Sequence, residues 1–229
     1  MSQPFSITFC GGAGAVTGAN FLVEPKEKPE ARFIVDCGLH QGSKIFEEKN
    51  REAFSYNPAE LSATIITHAH LDHVGRLPKL VRDGFRGPIY STPPTKDLAE
   101  LILLDSLGVM EKEARGSGKP PFYSVADVEQ AMTQWQTVEY GKSFKLGGGT
   151  ATFHNAGHIL GSAVMEWVWG ETKTVFTGDL GNVPSTLLPP PQSVAGAHYL
   201  VMESVYGDRI HEDVRERTNK LEESIESPA

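Results

Sequence analysis

Short runs of β-branched and aromatic residues, cut by glycine and proline, occupy both ends of the chain, and helical spacing fills the middle. Phe5–Cys10, Ala19–Glu24 and Arg32–Asp36 read as strands, the last two joined by a polar Pro/Lys/Glu hairpin connection. Ser43–Glu52 predicts a short charged helix. Ala63–Thr67 is another β-branched run, and it stops abruptly at His68-Ala69-His70-Leu71-Asp72-His73. Over Gly75–Gly84 a helix places Leu77, Leu80 and Val81 on one face. Arg76, Lys79, Arg82 and Arg86 then form a basic row on the other, expected to be solvated. Pro88–Ser91 is a strand, and Thr95–Ala114 carries the strongest helical pattern, through Leu98, Leu101, Ile102 and on to Val109. After a break at Gly116–Pro121, Ser124 with Asp127 resembles a capping box opening a helix that runs through Met132. From Val138 onward strands return at Phe144–Leu146, Thr150–His154, Ala163–Trp169, Thr174–Thr177 and Tyr199–Glu203, with a loop at Pro184–Pro191. Asp208–Ala229 is charged and helical in pattern. Strands, then helices, then strands again predict an α/β layered fold with sheets inside and helices outside.

Composition narrows the class. The 229 residues are 39% hydrophobic and 22% charged, which suits one globular domain or at most two small ones. No apolar run reaches the ~18 residues of a membrane span, so no membrane partner is expected. The opening residues lack a basic, then apolar, leader pattern. Two cysteines, Cys10 and Cys37, cannot build a disulfide framework, which sets a cytoplasmic expectation. The 21 Lys and Arg against 29 Asp and Glu leave a net charge of −8. Bulk attraction to nucleic acid is therefore excluded, whereas a local basic groove is not.

The chemistry concentrates at the end of the Ala63–Thr67 run. His68 and His70 share one side of an extended segment, and Asp72 and His73 approach from another direction as the chain turns into a helix. That arrangement suits two neighbouring cations better than one tetrahedral ion, with zinc first and manganese or iron as alternatives. His158, flanked by Gly157 and Gly161, can point into a cavity. Asp179, between Gly178 and Leu180 at another strand end, can bridge two cations. Asp36, ending the third strand, can orient a ligand's second ring nitrogen, and Glu203 has the same placement. His40, His154, His198 and His211 have no such setting and read as structural or exposed. The glycines at 11–14 fail a dinucleotide reading, because Thr17 stands where the third glycine belongs and a strand follows.

The order His68-x-His70-x-Asp72-His73, His158, Asp179, after a strand ending at Asp36, resembles the metallo-β-lactamase fold. Further motifs are similar to its RNA-processing β-CASP branch. These are Ala15-Val-Thr-Gly18, Asp36 to Gly42, His73-Val-Gly-Arg-Leu-Pro78, Gly84 to Tyr90, Gly157 to Ala163, and Glu203-Ser-Val-Tyr-Gly-Asp-Arg209. Val205 departs from the usual Thr. The resemblance implies an αββα sandwich over residues 1–207, incomplete at its C-terminus, and the start of a truncated β-CASP insert at 208–229. It implies two zinc ions, with His68, His70 and His158 on one, Asp72 and His73 on the second, and Asp179 bridging. A zinc-activated hydroxide would attack the phosphodiester of single-stranded RNA, with Asp72 orienting it or taking its proton. Asp36 would support a ligand histidine and Glu203 would supply the branch's acidic motif. A thioester or lactone hydrolase, an inactive fragment, and a homodimer are the readings carried beside this one.

Overall fold

The computed structural model describes residues 4–42, 47–183, 185, 187–209 and 214–226. Two sheets face each other. The first runs in the order β1 (Phe5–Gly11), β2 (Asn20–Pro25), β3 (Phe33–Val35), β4 (Ala63–Ile65), β5 (Ile89–Ser91) and β6 (Trp135–Thr137). Its β1–β3 pairings are antiparallel, and those from β3 to β6 are parallel. The second sheet is ordered β11 (Tyr199–Val201), β10 (Thr172–Phe176), β9 (Ala163–Trp169), β8 (Gly149–Asn155) and β7 (Ser143–Leu146), with only β10–β11 parallel. The helices are α1 (Leu71–Val74), α2 (Leu77–Arg82), α3 (Pro93–Ser117), α4 (Val125–Gln134) and α5 (Val214–Glu226). Among the described residues, no helix is long and apolar enough to cross a membrane.

Alternation along the central strands divides the interior into two layers. Val23, Phe33, Val35 and Ile65 pack toward the second sheet against Phe153, Met165, Trp167 and Phe176. Their neighbours Leu22, Ile34 and Ile66 pack on the opposite face against Leu77, Leu80, Ala99 and Leu103 of the helices. Strands buried on both faces are mostly apolar: β3 is Phe-Ile-Val, whereas β4 and β5 bury Thr64 and Ser91 among their apolar neighbours. On the far side of the second sheet, Leu180 and Val194 from the loop after β10 pack on Val164 and Val175.

The structure corrects several boundaries. Helix α3 begins two residues before the expected Thr95, because Pro93 occupies the first helical turn, where its missing N–H costs nothing. It stops at Gly118, which takes the left-handed conformation (φ 71°). Strand β6 follows α4 directly at Trp135, with no glycine or proline to announce the change. Residues 43–46 of the expected Ser43–Glu52 helix lie outside the described residues, and Lys49–Arg51 is a 3-10 turn. Of the expected Asp208–Ala229 helix, Val214–Glu226 is helical, and residues 210–213 and 227–229 lie outside the described residues.

The expected basic row is the largest correction. Arg76 and Lys79 are buried, not solvated. The Arg76 guanidinium carbon and the Lys79 Nζ lie 4.3 and 4.6 Å from the centre of the Phe54 ring. Arg76 also donates to the Glu52 carbonyl, and Lys79 pairs with Asp83. Aliphatic stems and a shared aromatic ring make this burial tolerable. Arg86 donates to the carbonyls of Val81 and Phe85, so the row does not present a continuous basic face.

The capping box at α4 is complete. The Asp127 carboxylate accepts from the Ser124 backbone N–H at 2.7 Å, and Ser124 Oγ accepts from the Asp127 N–H. Ser124→Ala is expected to destabilise the chain by about 1 kcal/mol. A shift in the urea midpoint at unchanged slope is the check.

Candidate metal centre

Parallel β3 and β4 end at the same rim. Asp36 follows β3 with φ 61°, a left-handed conformation that aspartate tolerates better than most residues. Its backbone N–H donates to Ile65, tying the turn to β4. The segment after it is laced to α1: Cys37 donates to the His73 carbonyl, and Leu39 to Leu71. Gly38 sits so close to the Asp72 carbonyl that a Cβ would fall inside it, so any other residue here would push α1 away. The loop after β8 is held both from within and by the start of α3. Ser162 Oγ accepts from the backbone N–H groups of His158 and Ile159, and the Gly161 carbonyl accepts from Thr92 and Thr95 hydroxyls.

These turns bring the candidate side chains together. His70 Nδ1 lies 3.1 Å from His68 Nε2 and 3.0 Å from His158 Nε2. Asp179 Oδ2 stands 3.7 Å from His68 Nε2 and 3.5 Å from His158 Nε2. All four donor atoms lie within 4.8 Å of one another. Donors ~2.0–2.1 Å from a tetrahedral zinc are separated by roughly 3.3 Å, so this set fits such an ion. The other oxygen, Asp179 Oδ1, faces His73 Nε2 at 3.2 Å, and Asp72 Oδ2 is 3.9 Å from that nitrogen. One carboxylate thus stands between two groups of donors. His73 Nδ1 meets Asp36 Oδ2 at 2.7 Å.

Glu203 lies further back. Its Oε1 accepts from the Leu180 N–H at 2.5 Å, so it holds the loop that carries Asp179 and does not touch the imidazoles. His40 is buried, and its backbone exchanges hydrogen bonds with the Asn50 side chain. His154 stands beside Glu166, and His198 accepts from the Lys173 N–H. His211 lies outside the described residues. Two residues that sequence reasoning passed over, Thr67 and Ser162, adjoin the centre. Thr67's position at the strand end just before the histidines was the available signal.

Electrostatics divide the set. Burial, then repulsion from the neighbouring imidazoles, holds His68 well below the ordinary histidine range. Burial lowers His158 as well. Both therefore offer lone pairs at neutral pH. Burial also disfavours the charged form of His73, but Asp36 and Asp179 outweigh it and raise its pKa to about 10. For Asp179, burial is outweighed by the hydrogen bond and charge of His73, which keep its carboxylate below the usual range. Burial raises Asp72 and Glu203. A cavity of about 300 Å³ opens beside Asp36, His73, Asp179 and Glu203, walled by Phe21 and Phe176.

Residues 13–228 match the family model of the metallo-beta-lactamase superfamily. The chain belongs to that superfamily. As a superfamily member it shares 41% identity over 217 residues with ribonuclease TTHA0252 of Thermus thermophilus, covering 94% of this chain and 47% of that protein. It shares 36% over 223 residues with the transcription termination factor FttA of Methanococcus maripaludis, covering 93% of this chain and 33% of the factor. The chain thus spans about half or less of these relatives' length. Among solved structures, a protein of unknown function from Enterococcus faecalis superposes with a TM-score of 0.51 at 18% identity, covering 77% of this chain and 43% of that one. That likeness speaks to the fold alone. The superfamily fold accounts for the paired sheets and for donor loops gathered at one rim.

Proposed function

We propose that this chain carries the metal centre of a β-CASP-type ribonuclease, a hydrolase acting on RNA phosphodiesters with two zinc ions. The observation that carries the reading is Asp179, whose two oxygens face separate donor groups, His68 with His158 on one side and His73 on the other. The similarity to a protein named as a ribonuclease and the β-CASP motifs support the substrate class. Residues 208–229 are read as the beginning of the β-CASP insert. The free cysteines fit a reducing, cytoplasmic setting.

His68, His70 and His158 would hold one cation and His73 with Asp72 the other. Bound there, two cations would supply an acidified water and positive charge for the phosphoryl oxygens. The chain's own residues do the positioning. Asp36 accepts a hydrogen bond from the Nδ1–H of His73 and so directs Nε2 toward the cleft, where a cation would replace its proton. Asp72, with a side chain 19% exposed, is the carboxylate that would orient that water or take its proton. Glu203 fixes the loop behind Asp179.

Elemental analysis of the purified chain is expected to find about two zinc ions per molecule. Chelation should abolish cleavage of a single-stranded RNA oligonucleotide, and zinc should restore it. Retention of neither zinc nor manganese defeats the reading. Turnover of thioesters or lactones with no RNA cleavage replaces it with the small-molecule alternative.

A further inference from the structure

Asp36 touches His73 but not His68, so its carboxylate directly supports only one of the two donor groups. Thr67 lies between them. It is 1% exposed, and its Oγ1 is 3.0 and 2.9 Å from the two oxygens of Asp36 and 3.1 Å from His68 Nδ1. Its backbone N–H also donates to Asp36, at 2.8 Å. A hydroxyl has one hydrogen, and an ionised carboxylate can only accept. The Thr67 proton therefore goes to Asp36, and an oxygen lone pair is left facing His68. Only a protonated Nδ1 satisfies that lone pair. A neutral imidazole carries a single ring proton, so Nε2 is left bare, directed at His70 and His158.

We infer that Thr67 is a positioning residue: its buried hydroxyl relays the Asp36 carboxylate to His68 and fixes that imidazole with its Nε2 lone pair toward the cation. A single carboxylate then orients one imidazole in each donor group, His73 directly and His68 through the hydroxyl. Gly178 closes the arrangement, since a side chain there would collide with Thr67. This inference rests on the metal-centre reading above, and its test separates the two.

Thr67→Val keeps the branched shape and deletes the hydroxyl. Zinc affinity, measured by chelator competition, should fall about 10–100-fold for one of the two ions and change little for the other. Thr67→Ser should restore it to within a few-fold of the parent. Nitrogen-15 NMR of the zinc-free parent chain should place the His68 proton on Nδ1, a readout that does not depend on any variant folding. An Nε2 proton in the parent overturns the inference. So does Thr67→Val with parental affinity for both ions, or equal losses in Thr67→Val and Thr67→Ser. A parent that binds no zinc yet carries the Nδ1 proton defeats the metal reading while the hydroxyl relay stands.

Discussion

Trp167→Ala is expected to lower the unfolding free energy by about 3–5 kcal/mol, the range for truncating a buried large aromatic. Trp167 is fully buried between the sheets. Its ring meets Phe5 edge-on at 5.0 Å and Phe33 at 5.2 Å. Its Nε1 donates to the Leu146 carbonyl at 3.0 Å, across to β7. The alanine variant loses apolar area, opens a cavity on a strand that cannot relax independently, and loses the hydrogen bond to Leu146. Trp167→Phe retains most of the area but still loses that hydrogen bond, at about 0.5–1.5 kcal/mol. Urea unfolding distinguishes the two, provided the slope is unchanged. Equal losses in both variants would assign the effect to the hydrogen bond and not to the packing.

Asp36→Ala is the second large effect. Asp36 is fully buried and accepts from the Thr67 N–H, the Thr67 hydroxyl and His73 Nδ1. Removing one partner of a buried ionic pair costs about 3–5 kcal/mol, because the group left behind has no substitute. Alanine is also a poor occupant of φ 61°. Asp36→Asn tolerates that backbone and keeps an oxygen, but presents a second donor where only an acceptor fits. The asparagine variant is therefore expected to stay folded with zinc affinity reduced about 10–100-fold, whereas the alanine variant loses both. Circular dichroism melts read alongside zinc content separate these outcomes. A stable alanine variant with full zinc would show that Asp36 supports neither the fold nor the centre.

Much of this was legible in the residues. Short apolar and β-branched runs announced the central strands, because a strand covered on both faces shows no regular polar alternation to reveal its period. The histidine cluster at the end of one such run located the rim, and the structure brings His68, His70, Asp72, His73, His158 and Asp179 to it. What escaped depends on partners remote in sequence. Arg76 and Lys79 read as solvated because nothing local announces Phe54, the ring that buries them. Thr67 read as the last residue of a strand, since its hydroxyl acquires meaning only when Asp36, 31 residues earlier, folds beside it. Strand β6 was hidden by its direct junction with a helix, where no breaker residue marks the change of period.

The donor atoms are supplied from both halves of the sandwich: His68, His70, Asp72 and His73 follow β4 of the first sheet, and His158 and Asp179 follow strands of the second. A cation held there is a clasp across the seam. Loading should therefore raise the melting temperature in proportion to the logarithm of free zinc, since only the closed sandwich presents the full donor set. The same coupling runs backwards. A packing change deep between the sheets that displaces one against the other moves the ligands of both donor groups together. The affinity for a cation bound there would then be a gauge of sheet spacing, readable at the rim for alterations made far below it.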